Sequence, residues 1–303
     1  MKQAIFTILL FSVIGFVSCK KNQVDIDIKQ YDEQQIQDYI KANGLTGMQR
    51  DLTGGDTSGI YYKIILPGSG QFEYTDTLSS VYTIKTFDGL FNSNDTIVNH
   101  FQGFVGHIKS SGMPLGLQLI VKNVLKKGGS VRMLIPSRLA YGVKGSGSGS
   151  SSVTNARIAG NQCLDYYIHS IADQKAYDDK LLADNLVAKS LTGYQKTTSG
   201  IYYKVLTAGT GTTPITENNV VYLLYTGSLL NGTIFDSYTV AGGGTNLDVP
   251  AVIPGLQEVL KQFTTGASVS TFIPSRLAYA RSANGSIPAN SNIQFDFTIV
   301  SAQ

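Results

Sequence analysis

The residue types that most often carry metal, redox or nucleophilic chemistry are few and scattered in this chain. The two cysteines, Cys19 and Cys163, lack the C-x-x-C spacing that a zinc site or a redox pair requires. The three histidines, His100, His107 and His169, do not cluster with other ligands in the sequence. The spacing therefore predicts neither a disulfide framework nor a metal site.

Length and composition limit the classes of protein that the chain can be. At roughly 150 residues per domain, 303 residues predict two domains. Charged residues make up 15% of the chain against about 25% in average globular proteins, and a net charge of +3 is low for a nucleic-acid-binding protein. The 42% of hydrophobic residues excludes a wholly disordered chain, and 32 glycines indicate many turns. These features predict β-rich globular domains and no nucleic-acid partner.

The sequence contains two copies of one domain. Residues 31–50 correspond to residues 177–196, SGIYYK occurs at 58–63 and again at 199–204, and IPSRLAY occurs at 135–141 and again at 273–279. This period is much longer than the 20 to 50 residues of a solenoid repeat, so each copy is expected to be a complete domain. We place the boundary near Ala172, which gives one domain over residues 31–171 and another over residues 172–303.

Each copy is predicted to be an α+β domain that is preceded by an N-terminal helix. The helices are predicted from apolar residues at three- and four-residue spacing, which are Ile36, Tyr39 and Ile40 in the first copy and Leu181, Leu182, Leu186 and Val187 in the second. Each helix could cover its own domain or pair with a partner.

The body of each domain is predicted to be an antiparallel sheet wrapped on one short helix. From residue 293 to residue 299 apolar and polar residues alternate, which is the period of a half-buried strand. Pro254 precedes apolar residues at helical spacing, which predict a short helix, and Gly266 lies just past the end of this helix. A sheet whose apolar face is closed by one short helix is an α+β domain.

The N-terminus has the features of an export signal. Lys2 precedes an apolar run that is too short to span a bilayer and that ends at Ser18. The segment Phe16-Val17-Ser18-Cys19 resembles a bacterial lipoprotein box, although the usual Leu is Phe here. It implies a lipoprotein signal peptide over residues 1–18, lipidation of Cys19 and a linker over residues 19–30. A plain secretory signal with an incidental cysteine is the alternative.

Five segments of the second copy occur together in one order. They are Tyr225-Thr226-Gly227, Phe235-Asp236-Ser237, Val252-Ile253-Pro254-Gly255-Leu256, residues 273–279, and Ile287-Pro288-Ala289-Asn290. In type and order these segments, between about residue 220 and residue 301, resemble FKBP-type peptidyl-prolyl isomerases. The resemblance implies an enzyme that accelerates the cis-trans rotation of X-Pro bonds and needs no cofactor or metal.

The resemblance also implies a proline pocket in the second copy. The residues that it assigns to catalysis are Tyr225, Phe235, Asp236, Ile253 and Tyr279. The residues that it assigns to substrate binding are Val252, Leu256, Ile287 and Phe295. Leu256 stands where the family usually has Trp, so the floor of the pocket is smaller. Taken singly, most of these residues would also suit a hydrophobic core, and their joint occurrence in order favours the pocket.

The first copy departs from the family pattern at several of these positions. Asn92 replaces the carboxylate of Asp236, and Ile84 stands where the second copy has Gly227. Residues 145–152 are all Gly and Ser, which predicts a flexible segment beside the pocket. The first domain is therefore predicted to be a degenerate copy with weak or no activity, which binds unfolded chains or positions the second domain.

These features predict a peptidyl-prolyl isomerase with activity in the second domain, acting on proline-containing unfolded or extended polypeptides. The lipoprotein signal predicts a protein attached to a bilayer in the bacterial cell envelope, on an outer membrane and facing the periplasm. The alternative is a non-catalytic peptide-binding or chaperone lipoprotein on the same fold. A third possibility is dimerisation through residues 31–41 and 177–189, and the sequence leaves the oligomeric state open.

Overall fold

The computed structural model describes residues 27–53, 57–239 and 245–303, and within them the chain folds into two units of the same design. The predicted signal peptide, Cys19 and the linker as far as residue 26 lie outside these residues, so those assignments stay predictions. No helix of the described residues combines the length and the apolar character needed to cross a membrane.

The first unit is a twisted antiparallel sheet with helices packed on it. Its helices are α1 (Ile28–Ala42) and α2 (Leu115–Asn123). Its strands are β1 (Gln49–Arg50), β2 (Tyr61–Leu66), β3 (Ser69–Gln71), β4 (Thr77–Thr86), β5 (Asn92–Ser93), β6 (His100–Phe104), β7 (Lys126–Lys127), β8 (Ser130–Ile135), β9 (Ser146–Gly147), β10 (Arg157–Ile158) and β11 (Leu164–Ser170). The main sheet has the order β1-β2-β8-β11-β4-β5, and β6 also pairs with β4.

The second unit repeats this topology. Its helices are α3 (Gln174–Ala188) and α4 (Pro254–Leu260). Its strands are β12 (Gln195–Lys196), β13 (Tyr202–Thr207), β14 (Val220–Leu229), β15 (Ile234–Tyr238), β16 (Thr245–Asp248), β17 (Ser268–Ile273) and β18 (Ile293–Ala302). The sheet order is β12-β13-β17-β18-β14-β15, and β16 also pairs with β14. The prediction of two antiparallel α+β domains is confirmed.

The short helix of each unit closes the apolar face of its sheet. In the second unit the predicted alternation is observed on β18, where Phe295 and Phe297 are buried and the intervening residues are half-buried. These two rings belong to one core cluster with Leu256 and Leu260 of α4. The core of the second unit therefore lies between β18 and its short helix.

The N-terminal helix of each unit covers the opposite face of the same sheet. Leu182 of α3 packs with Phe272, whose side chain leaves β17 on the face away from α4. Val187, which we expected in the same stripe, is 80% exposed. It follows Leu182 by five residues, and at about 100° per residue its side chain leaves the helix about 140° away from that of Leu182. Helix α1 starts at Ile28, inside the predicted linker.

A buried carboxylate ties α3 to the repeated IPSRLAY segment. Asp178 is completely buried, and it accepts hydrogen bonds from Ser275 Oγ at 2.8 Å and from Gln174 Nε2 at 2.9 Å. The guanidinium of Arg276 lies 3.9 Å from the same carboxylate. Burial raises the pKa of Asp178, and these partners oppose the rise. The repeated aspartate and the repeated serine and arginine thus hold the helix on the sheet.

Replacing Asp178 by alanine is expected to destabilise the protein by about 2–3 kcal/mol, because the buried Ser275 hydroxyl loses its partner and Arg276 loses one of its two carboxylate neighbours. Urea unfolding followed by circular dichroism measures the change. Asp184 lies on the same helix and pairs with Lys180 at an exposed position, so Asp184→Ala is the matched control and should cost less than about 0.5 kcal/mol. Equal losses in the two variants would contradict the assigned role.

Candidate functional site

The β14–β15 hairpin places an aromatic ring over a glycine at the edge of the second unit's core. The ladder pairs Gly227 with Asp236 and Ser228 with Ile234, so Phe235 lies in a bulge between two paired residues. A Cβ atom on Gly227 would lie 2.5 Å from Phe235 Cε2 and 3.1 Å from Phe295 Cε2. A glycine at this position therefore leaves the space that both rings occupy.

Tyr225 links the only acidic side chain among the predicted site residues to the aromatic cluster. Its hydroxyl donates a hydrogen bond of 2.7 Å to Asp236 Oδ2, and its ring stacks on Phe295 with centroids 5.0 Å apart and planes 19° apart. Burial raises the pKa of Tyr225, and the hydrogen bond to Asp236 raises it further. Tyr225 thus remains a donor that fixes the carboxylate at the exposed edge of the cluster.

The start of α4 supplies a backbone donor and the floor of the site. Ile253 is the N-cap of this helix, and its carbonyl accepts from the amides of Leu256 and Gln257. None of the hydrogen bonds formed within the described ranges uses the amide N–H of Ile253. Leu256 is 2% exposed at the bottom of the core cluster. The helix start therefore presents a free N–H above an aliphatic floor.

The segment from Tyr279 to Asn290 forms the remaining wall. Tyr279 is half-buried against the core cluster, and burial raises its pKa. Ile287 is buried, and the amides of Ile287 and Asn284 bond to each other's carbonyls at 2.9 Å. Ala280 and Asn290 have positive φ angles of 50° and 59°, and the backbone N–H of Asn290 donates to the Ala280 carbonyl. Two left-handed residues thus shape the loop that carries Ile287.

The structure brings all nine predicted site residues together. Tyr225, Leu256, Ile287 and Phe295 are buried members of one cluster, and Phe235, Val252, Ile253 and Tyr279 are half-buried residues packed against it. Asp236 joins this group through its hydrogen bond to Tyr225. The arrangement is an apolar and aromatic site with two tyrosine hydroxyls, of which that of Tyr225 donates to Asp236, one backbone donor and one carboxylate.

The corresponding helix start in the first unit lacks the backbone donor. A Cβ atom on Gly116 would lie 2.5 Å from Ile135 Cγ2, and one on Gly255 would lie 2.4 Å from Ile273 Cγ2, so these two glycines are equivalent. Two residues earlier, Pro114 is the N-cap of α2, with φ and ψ of −60° and 140° against −57° and 146° for Ile253. Proline has no N–H, so the same backbone shape offers no donor.

The prediction that Asn92 takes the place of Asp236 is wrong. The ladder of the first unit pairs Ile84 with Ser93 and Lys85 with Asn92, without the bulge of the second unit. Ser93 therefore faces Ile84 as Asp236 faces Gly227, whereas Asn92 is exposed and its backbone N–H donates to Asn155 Oδ1. Nine residues separate Ile84 from Ser93 and also Gly227 from Asp236, so in the first unit a hydroxyl stands where the second unit has the carboxylate.

The Gly/Ser segment of the first unit includes paired strand residues. Strand β9 lies within residues 145–152, and Ser146 pairs with Ile158. Gly145 has a φ of 67°, and a Cβ atom there would lie 2.1 Å from the Ile158 carbonyl oxygen. Close backbone approach therefore requires glycine at this position, and composition alone did not indicate this.

Residues of the first unit form polar contacts with the loop that carries Ile287. His100 Nδ1 lies 2.6 Å from the carbonyl oxygen of Ala289. Asn290 Nδ2 donates to Ser79 Oγ at 3.1 Å and to Gln102 Oε1 at 2.8 Å. These contacts join β4 and β6 of the first unit to one wall of the second unit's site, and sequence motifs gave no signal of them.

A model of the family described as FKBP-type peptidyl-prolyl cis-trans isomerase matches residues 211–300, a range that contains all nine site residues. The second unit is an FKBP-type domain. Because the strand order of the first unit is the same, the first unit shares the fold of the FKBP-type domain.

The chain is similar to several bacterial proteins. The chain is 37% identical over 132 residues to "Outer membrane protein MIP" of Legionella longbeachae, covering 43% of this chain and 55% of that protein. It is 34% identical over 134 residues to the FKBP-type peptidyl-prolyl cis-trans isomerase FkpA of Aeromonas hydrophila, covering 44% and 50%. The crystal structure of FkpA from Escherichia coli is 29% identical, with a TM-score of 0.36, covering 43% of this chain and 64% of that one. The chain spans about half the length of the two curated relatives.

Proposed function

We propose that this protein is a peptidyl-prolyl cis-trans isomerase whose activity resides in the second unit. The observation that carries the proposal is the convergence of all nine site residues on one apolar cluster within the range that matches the family model. The proposed substrates are proline-containing polypeptides in unfolded or extended form.

The site supplies two hydrogen-bond donors for the substrate backbone. The free amide of Ile253 lies at the N-terminal end of α4, and Tyr279 follows β17 in the chain. Both residues pack on the same cluster. Each would donate to a substrate carbonyl and hold the X-Pro bond over the Leu256 floor. Asp236, fixed by Tyr225, lies at the edge where the rotating imide carbonyl would pass.

The chemistry needs no nucleophile. Resonance gives the peptide C–N bond a rotation barrier of ~18–20 kcal/mol, and twisting removes the resonance and much of the polarity of the carbonyl. An apolar site therefore favours the twisted amide over the planar one, which water would solvate better. Each ~1.4 kcal/mol by which the site favours the twisted form over the planar form increases the rate of isomerisation about tenfold.

The isomerase activity is expected to show no alkaline loss between pH 7 and about pH 10. Burial raises the pKa of Tyr225 and of Tyr279, so both hydroxyls keep the proton that they donate. The pH profile of kcat/KM on a proline peptide, with circular dichroism at each pH as a check on folding, measures this. A decline with a midpoint below pH 9 that disappears in Tyr279→Phe would contradict it.

We further propose that the protein is exported and anchored in the bacterial cell envelope. The apolar N-terminal run and the Cys19 segment support a lipid anchor, and the name of the Legionella relative places that protein in an outer membrane. In this proposal Cys19 is acylated, and the two units face the periplasm. Mass spectrometry of the mature protein, which would carry a diacylglyceryl group on Cys19, tests the anchor.

The first unit is proposed to be inactive as an isomerase. Pro114 offers no amide proton where Ile253 does, and Ser93 replaces the carboxylate of Asp236. Its contacts with the loop of Ala289 and Asn290 support a role in holding the wall of the second site.

The direct experiment measures cis-trans acceleration on a short proline peptide. We expect the wild-type protein to accelerate the reaction and Asp236→Ala and Tyr279→Phe to lose about tenfold or more of kcat/KM. Ser93→Ala, at the position equivalent to Asp236, and Asn92→Ala should leave the activity unchanged. No acceleration by the folded wild-type protein would overturn the isomerase proposal and would favour a peptide-binding protein on the same fold.

A further inference from the structure

The first unit has a cavity of its own. It measures about 300 Å³, which is at the lower end of the range of ligand sites. It lies where the second unit has its proposed site, since its lining includes Tyr82, Tyr141 and Tyr166, the counterparts of Tyr225, Tyr279 and Phe295. The first unit therefore lacks the backbone donor of Ile253 but keeps a tyrosine hydroxyl and a pocket.

Three phenols line this cavity. Tyr82 and Tyr166 stack with centroids 5.4 Å apart, and Tyr166 is 1% exposed. The Tyr166 hydroxyl is buried and has no hydrogen-bond partner among the residues that the structure describes. Burial raises the pKa of Tyr82 and of Tyr166, and raises that of Tyr141 to about 12. All three phenols thus remain neutral donors, and one of them is a buried donor without an acceptor, which costs free energy unless a ligand supplies one.

The cavity also has a cationic wall. Arg157 lines it, and its Nη2 donates to the carbonyl of Lys144 at 2.7 Å. The Nε of Arg157 is buried and has no partner within the described part of the chain. None of the described residues lining the cavity is Asp or Glu. An unpartnered guanidinium N–H and an unpartnered phenol among the lining residues favour an anionic acceptor, and a carboxylate has two oxygens that accept one hydrogen bond each.

We propose that this cavity binds the C-terminal residue of a polypeptide, with an apolar side chain against the aromatic walls and the terminal carboxylate on Arg157 and Tyr166. The apolar wall for the side chain is provided by Ile84, Met113 and Ile158. A free amino acid would bring an ammonium group that no lining carboxylate neutralises, whereas a chain terminus has an amide there. This site is separate from the proposed isomerase site and does not depend on its activity.

The proposal predicts a preference for a free carboxylate. The probe is a fluorescein-labelled Gly-Ser-Ala-Ala-Leu peptide without proline, prepared with a free C-terminus and with a C-terminal amide, and titrated with the full chain by fluorescence anisotropy. The free acid is expected to bind at least about tenfold more tightly than the amide, because charge-assisted hydrogen bonds are the stronger ones. N-Acetyl-leucine carries the apolar side chain, the carboxylate and the amide that the site is proposed to recognise, so it should displace the peptide, whereas acetate, which offers only a carboxylate, should displace it only weakly.

Two variants test the assigned groups. Arg157→Gln and Tyr166→Phe should each lower the affinity for the free-acid peptide by about tenfold and leave the affinity for the amide peptide nearly unchanged. Phenylalanine occupies the position of Tyr166 in the second unit, so Tyr166→Phe is expected to fold, and thermal unfolding checks this. Asp236→Ala and Tyr279→Phe should leave the peptide affinity unchanged. Equal affinity for the acid and the amide, or no effect of either variant in folded protein, would overturn the proposal.

Discussion

Replacing Ile253 by proline is expected to reduce kcat/KM on a proline peptide by about tenfold to a hundredfold relative to Ile253→Ala. The substitution removes the backbone N–H that lies free at the start of α4. A substrate carbonyl that loses this donor inside an apolar site loses a hydrogen bond and is left desolvated, which costs about 1–3 kcal/mol.

The backbone at this position already accepts proline. Ile253 has a φ of −57°, close to the value that the proline ring fixes. The preceding residue, Val252, has a φ of −84° and a ψ of 166°, which is the extended conformation that a residue before proline prefers. The first unit already has a proline at this position, because Pro114 is the N-cap of α2 with nearly the same backbone angles. The loss in activity is therefore expected without a loss of fold.

Ile253→Ala separates the donor from the side chain, because it truncates the side chain and keeps the N–H. Pro114→Ala is the matched change in the first unit, and it should leave the isomerase activity unchanged. Thermal unfolding of each variant checks that the proteins compared are folded. Equal activities of Ile253→Pro and Ile253→Ala would show that the amide does not act in the reaction.

The features that depend on hydrophobic periodicity and on repeated sequence segments were predictable from the sequence. The duplicated segments indicated two copies of one domain, and the alternation over residues 293–299 predicted β18. The order of five short segments indicated the site residues, which the fold brings together on one cluster. These signals are local or are carried by residue identity, so they need no knowledge of how strands pair.

The features that depend on register could not be predicted in the same way. When the shared Phe and Ser of the two hairpins are matched, Asn92 falls opposite Asp236, whereas the strand pairing places Ser93 at that position. Both units carry a proline near the start of the short helix, and the close contacts of Gly116 and Gly255 show that the two prolines are not equivalent. Strand register and backbone contacts are tertiary properties, and single-residue shifts in them change which groups face the site.

Gly227→Ala is expected to lower kcat/KM by about tenfold, which corresponds to ~1.4 kcal/mol. The new methyl group would lie 2.5 Å from Phe235 Cε2 and 2.7 Å from Cζ, so the ring must move away from the aromatic cluster. Phe235 is only half-buried on β15, which lets the ring shift outward without unfolding the domain. Isomerase kinetics together with thermal unfolding measure the two effects separately.

A double-mutant cycle shows whether the added methyl group acts through Phe235. If it does, Gly227→Ala should cost little activity in a Phe235→Leu background, because the ring that it displaces is already gone. Ile84→Ala changes the equivalent position of the first unit and should leave the isomerase activity as it is. Additive losses from Gly227→Ala and Phe235→Leu would instead mean that the methyl group disturbs Phe295, which is 3.1 Å from the same Cβ position. The cycle thereby decides which of the two rings requires the glycine.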